Sequence, residues 1–354
     1  MKKAAAFISV VPSPYQRDLF RALAACPEID LRVFYLEASS PDSPWPEQPL
    51  APYESVLPGF WFPLGHARCH WNWQLPDWRD FPILVCNTLL TSLTGQWLMR
   101  GAWRARPWIF WGEQPGRASS LHNQMSAPLH RARAIAAIGS VAAGEYHARF
   151  PRPTVVNIPY HCDLAPFLAQ PREAASDREP VFLFCGQMIA RKGVDLLIAA
   201  FASLERGRLL LVGREADLPQ LLAPLPASVR ERIEYAGFQP PDELPRFFAR
   251  ADVFVLPSRH DGWGVVVNQA LGAGLPILCS DRVGAGIDLV QPEVNGLRFS
   301  AGDAAALAAA MRRCLDAPER LTAWGNSSRA RASEWTPAAG AAKWIAAFQE
   351  LGLL

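Results

Sequence analysis

The sequence lacks the cysteine and histidine patterns that build disulfide-bonded or zinc-bound folds. Its seven cysteines are scattered, are odd in number and form no C-x-x-C pair. None of its seven histidines lies at metal-ligand spacing from a cysteine. These absences disfavour a disulfide framework and a zinc site, and we expect reduced thiols in the core and no bound metal.

The sequence also lacks a charge excess and a long apolar run. The formal net charge is +2, so charge gives no reason to expect binding to nucleic acid. No apolar run reaches the roughly 18 residues that a membrane-spanning helix needs. The apolar start at 4–11 is followed by Pro12-Ser13-Pro14 and not by a small-residue cleavage site. It therefore predicts a first buried strand in preference to a secretory signal.

What the sequence contains is enough apolar residues for two hydrophobic cores. The 354 residues are 50% hydrophobic and 19% charged, which excludes a disordered chain. Patterns typical of strands and helices alternate along both halves, which predicts parallel sheets covered by helices. The expected fold class is therefore α/β, with two Rossmann-like doubly wound domains.

The domain boundaries follow from where this alternation stops and resumes. We expect a first Rossmann-like domain at residues 1–165 and a second, more regular one at 166–336. A proline-rich and charged linker at 163–180 joins them. Residues 337–354 form an amphipathic C-terminal helix that packs back on the first domain.

An aromatic excursion interrupts the first domain between Ser39 and Trp78. Prolines and tryptophans dominate it, which argues for an ordered loop. Trp71 and Trp73 are its candidate functional residues, because indole rings stack on sugars and also lie at membrane interfaces. Ordinary packing in the core or the loop is the alternative interpretation.

The strongest motif is the turn PSRHDGWG at 257–264. A predicted strand ends before it and a predicted helix begins near Val265. Gly262 and Gly264 allow backbone N–H groups to approach a ligand, and the helix N-terminus offers further donors. The pattern predicts a site for a phosphate or for sugar hydroxyls. A strand–turn–helix in which the glycines serve packing alone is the alternative.

A second motif is the loop GQMIARKG at 186–193, which also joins a predicted strand to a predicted helix. Lys192 can reach a phosphate from this loop as a mobile point charge. For Lys192 alone, a solvated loop lysine would be the default interpretation. The glycines that flank the loop, Gly186 and Gly193, favour the phosphate site.

These motifs resemble those of the retaining glycosyltransferases of family 4, which have the GT-B fold of two Rossmann-like domains facing a cleft. The resemblance is strong over about 180–300. The family's G-R-x-x-x-x-K-G loop corresponds to 186–193, its later glycine loop to Gly237–Phe238, and its P-S-x-x-E-G-x-G-x-x-x-x-E-A segment to 257–270. Pro14-Tyr15-Gln16 resembles a first-loop variant of one branch.

The resemblance implies a role for each matching residue. A nucleotide-diphosphate sugar, the co-substrate, would be bound by Gly186, Gln187, Arg191, Lys192, Phe238, Asp261, Gly262, Trp263, Gly264, Val265 and Gln269. Lys192 would stabilise the leaving diphosphate and Asp261 would contact the transferred sugar. Glu113, after a predicted strand, is a further catalytic candidate. The residues expected to bind the acceptor are Tyr15, Gln16, Trp71 and Trp73.

Three positions depart from the family pattern. Gln187 replaces an arginine, Asp261 replaces a glutamate, and Gln269 replaces the second glutamate of the pair. Hydrogen bonds to charged groups contribute roughly 1.5–3 kcal/mol and neutral ones about 0.5–1.5 kcal/mol, so we expect weaker binding of the ribose by Gln269. Loss of the arginine leaves Lys192, Arg191 and the helix N-terminus to stabilise the diphosphate.

The implied reaction needs no metal and no cofactor beyond the nucleotide sugar. The diphosphate leaves, and an acceptor hydroxyl attacks the same face of the sugar. The acceptor would be a saccharide or a lipid-linked molecule of surface polysaccharide or glycolipid synthesis. We expect a cytoplasmic protein, and peripheral association with the inner face of the membrane is compatible with this interpretation.

Two other functions remain open from the residues. A sugar-nucleotide epimerase would need acid and base side chains that the motifs do not supply. A non-catalytic nucleotide-sugar-binding protein would explain Gln187 and Gln269. The glycines at 284 and 286 could begin a dinucleotide-binding fingerprint, but the third glycine position holds Leu289, which disfavours NAD binding.

Overall fold

The computed structural model of the protein contains two α/β units. The structure describes residues 2–40, 45, 48–64, 67–116, 119–171 and 178–354. One unit comprises Met1–His161 with Pro337–Leu354, and the other comprises Cys162–Thr336. The division lies four residues before the boundary expected from the sequence. Residues 172–177 of the expected linker lie outside the described residues.

The first unit is built on a seven-stranded parallel sheet with an added hairpin. Its strands are β1 Lys3–Ser9, β2 Ile29–Tyr35, β3 Glu54–Val56, β6 Ile83–Asn87, β7 Ile109–Gly112, β8 Ala134–Ala137 and β9 Thr154–Asn157, and the antiparallel hairpin is β4 Gly59–Leu64 with β5 Ala67–Asn72. The sheet order is β3-β2-β1-β6-β7-β8-β9. Its helices are α1 Pro14–Ala24, α2 Leu93–Trp97 (continued by a π-helical turn, Leu98–Ala102), α3 Ser120–Ser126 and α4 Ser140–Arg149.

The second unit has a six-stranded parallel sheet in the order β12-β11-β10-β13-β14-β15. The strands are β10 Val181–Cys185, β11 Arg208–Val212, β12 Ile233–Tyr235, β13 Val253–Leu256, β14 Ile277–Ser280 and β15 Gly296–Phe299. The helices are α5 Ala165–Leu168, α6 Val194–Ala202, α7 Leu218–Leu222, α8 Ala227–Arg230, α9 Leu244–Ala249, α10 Val266–Gly272, α11 Gly284–Leu289, α12 Ala304–Asp316 and α13 Pro318–Ala332. The predicted α/β class with two doubly wound sheets is confirmed.

Both sheets reverse their strand order at one point, which locates the expected ligand sites. In the first unit the reversal lies between β1 and β6, and in the second between β10 and β13. Ligands of open parallel sheets bind beyond the carboxyl ends of the strands at such a point. The loops that follow these four strands are therefore the expected positions of the ligand sites.

The closing helix α14, Pro337–Glu350, packs on the first unit. The Trp344 ring is fully buried, with its centroid 5.1 Å from that of Phe7 on β1 and 5.4 Å from that of Trp111 on β7. Phe348 also contacts Phe7. The apolar face of α14, which the sequence predicted, therefore completes the hydrophobic core of the first unit.

His161 lies beside this helix and should make the first unit less stable in mild acid than at neutral pH. Its ring is 1% exposed, and a Cβ atom on Gly340 of α14 would lie only 2.8 Å from the His161 Cβ atom. Burial lowers the pKa of His161 to about 4, below the value of about 6.5 in an unfolded chain. Its contribution to stability is therefore present above about pH 6.5 and is lost as the pH falls towards about 4.

Lowering the pH from about 7 to about 5 should accordingly cost about 2 kcal/mol of unfolding free energy through His161. The His161→Asn variant keeps an N–H donor for the carbonyl oxygen of Pro159, 2.9 Å from Nδ1, but cannot titrate. Urea unfolding of both proteins at the two pH values measures the difference. An equal pH dependence in both would show that His161 is not responsible.

Candidate functional site

Two loops leave neighbouring strands of the second sheet at its reversal point. Strands β10 and β13 pair in parallel, with Phe182 opposite Val253 and Leu183 opposite Phe254. The loop at 186–193 follows β10, and the loop at 257–265 follows β13. Because parallel strands end at the same edge of a sheet, both predicted motifs lie at the same edge.

A hydrogen bond between backbone atoms and an ion pair between side chains fix the second loop against the first loop and the helix that follows it. The Arg259 backbone N–H donates to the Arg191 carbonyl oxygen at 2.9 Å. The Arg259 guanidinium also binds both carboxylate oxygens of Asp195, on α6, at 2.7 and 2.6 Å. Hydrogen bonding from Arg259 lowers the pKa of Asp195. Neither Arg259 nor Asp195 was predicted as a site residue, because residues 64 positions apart leave no local spacing signal.

Glycine at position 193 permits a close approach of the two loops. Gly193 has a φ of +75°, and a Cβ atom there would lie 2.1 Å from the Pro257 carbonyl oxygen. Only a residue without a side chain fits this position. The contact places Lys192, the preceding residue, directly beside the second loop.

Lys192 and Asp261 meet at the centre of this arrangement. The Lys192 Nζ atom lies 2.6 Å from Asp261 Oδ2, and their side chains are 19% and 11% exposed. A lysine ammonium has three N–H donors, so one bond to Asp261 leaves donors for a second partner. The site therefore presents a cation that can bind a phosphate next to a carboxylate that can accept hydrogen bonds from sugar hydroxyls.

The loops after β11 and β12 adjoin the same site. A Cβ atom on Gly213, after β11, would lie 1.9 Å from the Gly186 carbonyl oxygen. The Gly213 N–H donates to the Gly237 carbonyl oxygen at 2.9 Å. Phe238 follows directly, with its side chain 42% exposed. Four consecutive strands along the sheet thus end in loops that contact one another.

The remaining predicted donor residues differ in how accessible they are. Gly186, Gln187, Gly262, Gly264, Val265 and Gln269 are partly exposed, and Arg191 is exposed. Val265 is the N-cap of α10, and a valine side chain cannot cap the first N–H groups of the helix. The N–H groups of Val267 and Asn268 donate instead to the carbonyl oxygens of Gly264 and Val265, both at 2.9 Å.

The Trp263 side chain packs inside the second unit, and its predicted contact with the donor stays a prediction. Its indole ring is fully buried, its Nε1 donates to Asn268 Oδ1 at 2.9 Å, and its ring centroid lies 5.8 Å from that of Trp335. The side chain therefore holds the turn against the core. Its carbonyl oxygen accepts a hydrogen bond from the Ala285 N–H at 2.8 Å, so the backbone is engaged as well.

The first unit carries a buried polar network at its own reversal point. Ser9 ends β1 and Asn87 ends β6, and both side chains bind the side chain of Gln16 on α1. The Tyr160 hydroxyl joins Gln16 and Asn87, and burial raises its pKa well above the usual range. Gln16 is only 5% exposed. Its amide is therefore engaged inside the unit, and the role of Gln16 in binding the acceptor stays a prediction.

The other predicted residues of the first unit lie at or near the same edge of its sheet. The Tyr15 ring packs against Tyr160 and Trp45, with centroids 4.9 and 6.0 Å apart. Glu113 follows β7; its side chain is exposed, and its carbonyl oxygen accepts a hydrogen bond from the Tyr146 hydroxyl at 2.8 Å. Trp71 and Trp73 lie on and directly after β5 and are exposed.

Among the described residues there is neither a metal-binding cluster nor a helix that could span a membrane. They contain no group of three or more His, Cys, Asp or Glu side chains that could hold a metal ion. Within the same part of the chain, no helix has the length and apolar character required to cross a bilayer.

Sequence comparison finds similarity between the second unit and glycosyltransferase sequences. Residues 168–331 match the family described as Glycosyl transferases group 1. The chain is 35% identical over 156 residues to a lipopolysaccharide core biosynthesis glycosyltransferase of Rhizobium meliloti, covering 42% of this chain and 44% of the relative. It is 30% identical over 208 residues to a D-inositol 3-phosphate glycosyltransferase of Segniliparus rotundus, covering 54% and 46%. The match thus spans less than half of each relative.

Comparison of structures covers almost the whole chain. A sucrose-phosphate synthase of Thermosynechococcus elongatus superposes with a TM-score of 0.77 at 22% identity, covering 99% of both chains. The Anabaena protein HepE, in complex with UDP, superposes with a TM-score of 0.72 at 17% identity, covering 99% of this chain and 100% of that one. At these sequence identities, the structural similarity shows that the fold is shared.

Proposed function

We propose that this protein is a retaining, metal-independent glycosyltransferase. It transfers a sugar from a nucleotide-diphosphate sugar to a saccharide or lipid-linked acceptor. The observation that carries the proposal is the meeting of Lys192 and Asp261 at the reversal point of the second sheet. The match of residues 168–331 to Glycosyl transferases group 1 supports it, because both residues lie within the matched segment.

The donor is proposed to bind across the loops of the second unit. Lys192 binds the diphosphate together with Arg191, which is exposed on the same loop. Asp261 releases Lys192 and accepts hydrogen bonds from the hydroxyls of the transferred sugar. Gln269, partly exposed on α10, binds the ribose, and Phe238 lies near the base.

The chemical step is proposed to depend on electrostatic stabilisation of the leaving group. As the bond from the anomeric carbon to the diphosphate oxygen breaks, negative charge grows on the diphosphate. A lysine fixed in a partly buried site stabilises that charge more than water would, because little reorganisation is needed. The acceptor hydroxyl bonds to the anomeric carbon on the same face, and the leaving phosphate takes its proton.

The first unit is proposed to bind the acceptor at the carboxyl edge of its sheet. Tyr15 and Glu113 are the candidate contacts there, and Gln16 acts as a positioning residue for the loop before α1 through Ser9 and Asn87. Trp71 and Trp73 are proposed to contact the acceptor or its carrier.

Gln269 offers a test of how the donor ribose is bound. The Gln269→Glu variant should tighten nucleotide-sugar binding about fivefold, since a charged acceptor adds about 1 kcal/mol to a hydrogen bond with the ribose diol. Gln220→Glu, at an exposed position on α7 of the same unit, adds the same charge elsewhere and should leave affinity unchanged. Isothermal titration calorimetry measures both. Weaker or unchanged binding by Gln269→Glu would remove this residue from the ribose site.

The activity itself is tested by screening nucleotide sugars for thermal stabilisation, because a bound ligand raises the unfolding temperature by mass action. Hydrolysis of the stabilising donor without acceptor would contradict a purely binding protein. Retention of the anomeric configuration in the transfer product tests the retaining part of the proposal. Transfer that continues in the presence of a chelator tests the metal-independent part. Epimerised donor would identify the competing enzyme class.

A further inference from the structure

Hydrogen bonds between the two loops of the candidate site lie directly before Lys192 and Asp261. The Arg259 N–H donates to the Arg191 carbonyl oxygen at 2.9 Å, and the Arg191 guanidinium donates to the His260 carbonyl oxygen at 3.3 Å. Lys192 and Asp261 are the next residues of the two loops. These bonds therefore set which residues of the two loops face each other.

The Arg259 side chain extends these contacts to the helix that follows the first loop. Its guanidinium donates to the Ala190 carbonyl oxygen at 2.5 Å and to the two carboxylate oxygens of Asp195 at 2.7 and 2.6 Å. Ala190 opens the 3-10 turn that ends at Lys192, and Asp195 is the second residue of α6. Because a guanidinium binds a carboxylate through two parallel bonds, it fixes direction as well as distance. Arg259 thus ties the turn of Lys192 to α6.

The Asp195 carboxylate is itself held at the start of α6. Hydrogen bonding from Arg259 and from the backbone N–H groups of Leu196 and Asp195 holds its pKa below the usual range. A carboxylate in the first turn of a helix is also stabilised by the helix dipole. Val194 and Leu197 of the same turn are fully buried, so this end of the helix is anchored in the core. Asp195 is therefore a fixed and charged partner for Arg259.

The exposure of this ion pair argues for a role in local geometry and against a large role in stability. The Arg259 and Asp195 side chains are 38% and 33% exposed, and exposed ion pairs contribute little to the free energy of unfolding. Three of the Arg259 N–H groups are bound to Ala190 and Asp195, and the carboxylate offsets its charge. A diphosphate would therefore gain less from Arg259 than from Arg191, which is exposed and donates to one carbonyl oxygen.

We propose that Asp195 and Arg259 are positioning residues that hold the Lys192 ammonium in place beside Asp261. Stabilisation of a leaving group depends on a charge that is in position before the bond breaks. By fixing the turn of Lys192 against both the second loop and α6, the ion pair supplies this preorganisation without contacting the substrate. The inference deepens the proposed function and rests on it in assigning the leaving diphosphate to Lys192.

A double-mutant cycle on the full chain tests the proposal in the transfer reaction. Asp195→Asn keeps the shape of the side chain but removes its charge, and Arg259→Ala removes the guanidinium. Each variant should lower kcat about tenfold, and the double variant should also lower it about tenfold, because both changes break the same ion pair. The donor KM should stay within about twofold, since a displaced ammonium still attracts the diphosphate of the bound ground state. Arg259→Lys keeps the charge and should recover part of the lost kcat.

Asp316→Asn is the matched control for loss of an exposed ion pair. Asp316 binds Arg206 at 3.2 Å, and Arg206 lies just before β11, at the edge of the sheet opposite the loops. This variant should keep a normal kcat. Urea unfolding should show a similarly small loss of stability in Asp316→Asn and Asp195→Asn, which separates positioning from folding.

Chemical labelling of Lys192 tests its positioning in a way that needs no activity. The chain has four lysines, and Lys3 is an exposed internal reference. Acetic anhydride acylates free amines, so an ammonium bound to a carboxylate reacts slowly. In Asp195→Asn and in Arg259→Ala, the acylation rate of Lys192 relative to Lys3 should rise at least about threefold, because the contact with Asp261 opens more often. Peptide mass spectrometry measures both rates.

Three results would overturn the inference. Unchanged acylation of Lys192 in both variants would show that the ion pair does not hold the ammonium. Losses of kcat that multiply in the double variant would show that the two residues act separately. A donor KM raised about tenfold by Arg259→Ala but unchanged by Asp195→Asn would make Arg259 a direct contact of the diphosphate. If the wild type neither transfers nor hydrolyses a nucleotide sugar, the proposed function fails, and the labelling alone decides whether this ion pair positions Lys192.

Discussion

Replacing Lys192 with alanine should lower turnover by about 10²- to 10³-fold while the protein remains folded. A single preorganised hydrogen-bond donor contributes about 3–4 kcal/mol of transition-state stabilisation where charge develops, and this contribution sets the expected loss of turnover. Lys192 contacts Asp261 at 2.6 Å within the loops that we propose bind the diphosphate. The variant leaves the carboxylate without its cation, and this side effect on stability should be far smaller than the loss of turnover.

The chain offers a matched control, since lysine occurs at only four positions. Lys3→Ala, at the exposed start of β1, removes the same charge from the whole protein and should leave turnover unchanged. Transfer rates and urea unfolding curves of both variants make the comparison. A Lys192→Ala protein with normal turnover would exclude the proposed phosphate contact, and equal losses in both variants would indicate an effect of net charge.

Replacing Gly193 with alanine should destabilise the second unit by at least about 3 kcal/mol and weaken nucleotide binding with it. The left-handed conformation costs a non-glycine residue about 1–2 kcal/mol. The remainder comes from the new Cβ atom, which would lie 2.1 Å from the Pro257 carbonyl oxygen and would force the two loops apart. Because Lys192 precedes this residue, the shift would also move the ammonium away from Asp261.

Gly302 separates these two contributions. It has a φ of +87°, and nothing lies within 4 Å of a Cβ atom built there. Gly302→Ala should therefore lose only the conformational cost, about 1–2 kcal/mol, and keep normal nucleotide affinity. Chemical unfolding and calorimetric titration of the two variants test the difference. Equal destabilisation of both would argue against the close approach of the loops.

Sequence patterning located most strands of the second unit because each strand there is a short apolar run between turn residues. Strands were predicted directly before the loops at 186–193 and 257–264, and β10 and β13 end at Cys185 and Leu256. Helix α13, Pro318–Ala332, was not predicted, since its central residues are small and polar and form no clear apolar stripe. The aromatic excursion was identified as ordered, but its division into an edge strand and a hairpin was not, because strand pairing depends on distant residues.

The candidate site was predicted unevenly for the same reason. Gly193 and Gly264 were found from local turn chemistry, and their positive φ angles agree with it. The burial of Trp263 was missed, because its neighbours in the turn give no sign of the contact with Trp335. The engagement of Gln16 was missed as well, since its partner Asn87 is 71 positions away.

The sequence by itself determined the two α/β units and the strand–loop–helix motifs, because these depend on the period of apolar residues and on nearby glycines. It also determined which charged residues the loops contain. The tertiary structure decided that Lys192 meets Asp261, 69 positions along the chain, and that Gln16 meets Asn87. Those outcomes depend on strand order and register, which bring distant segments to one sheet edge and cannot be read from local spacing.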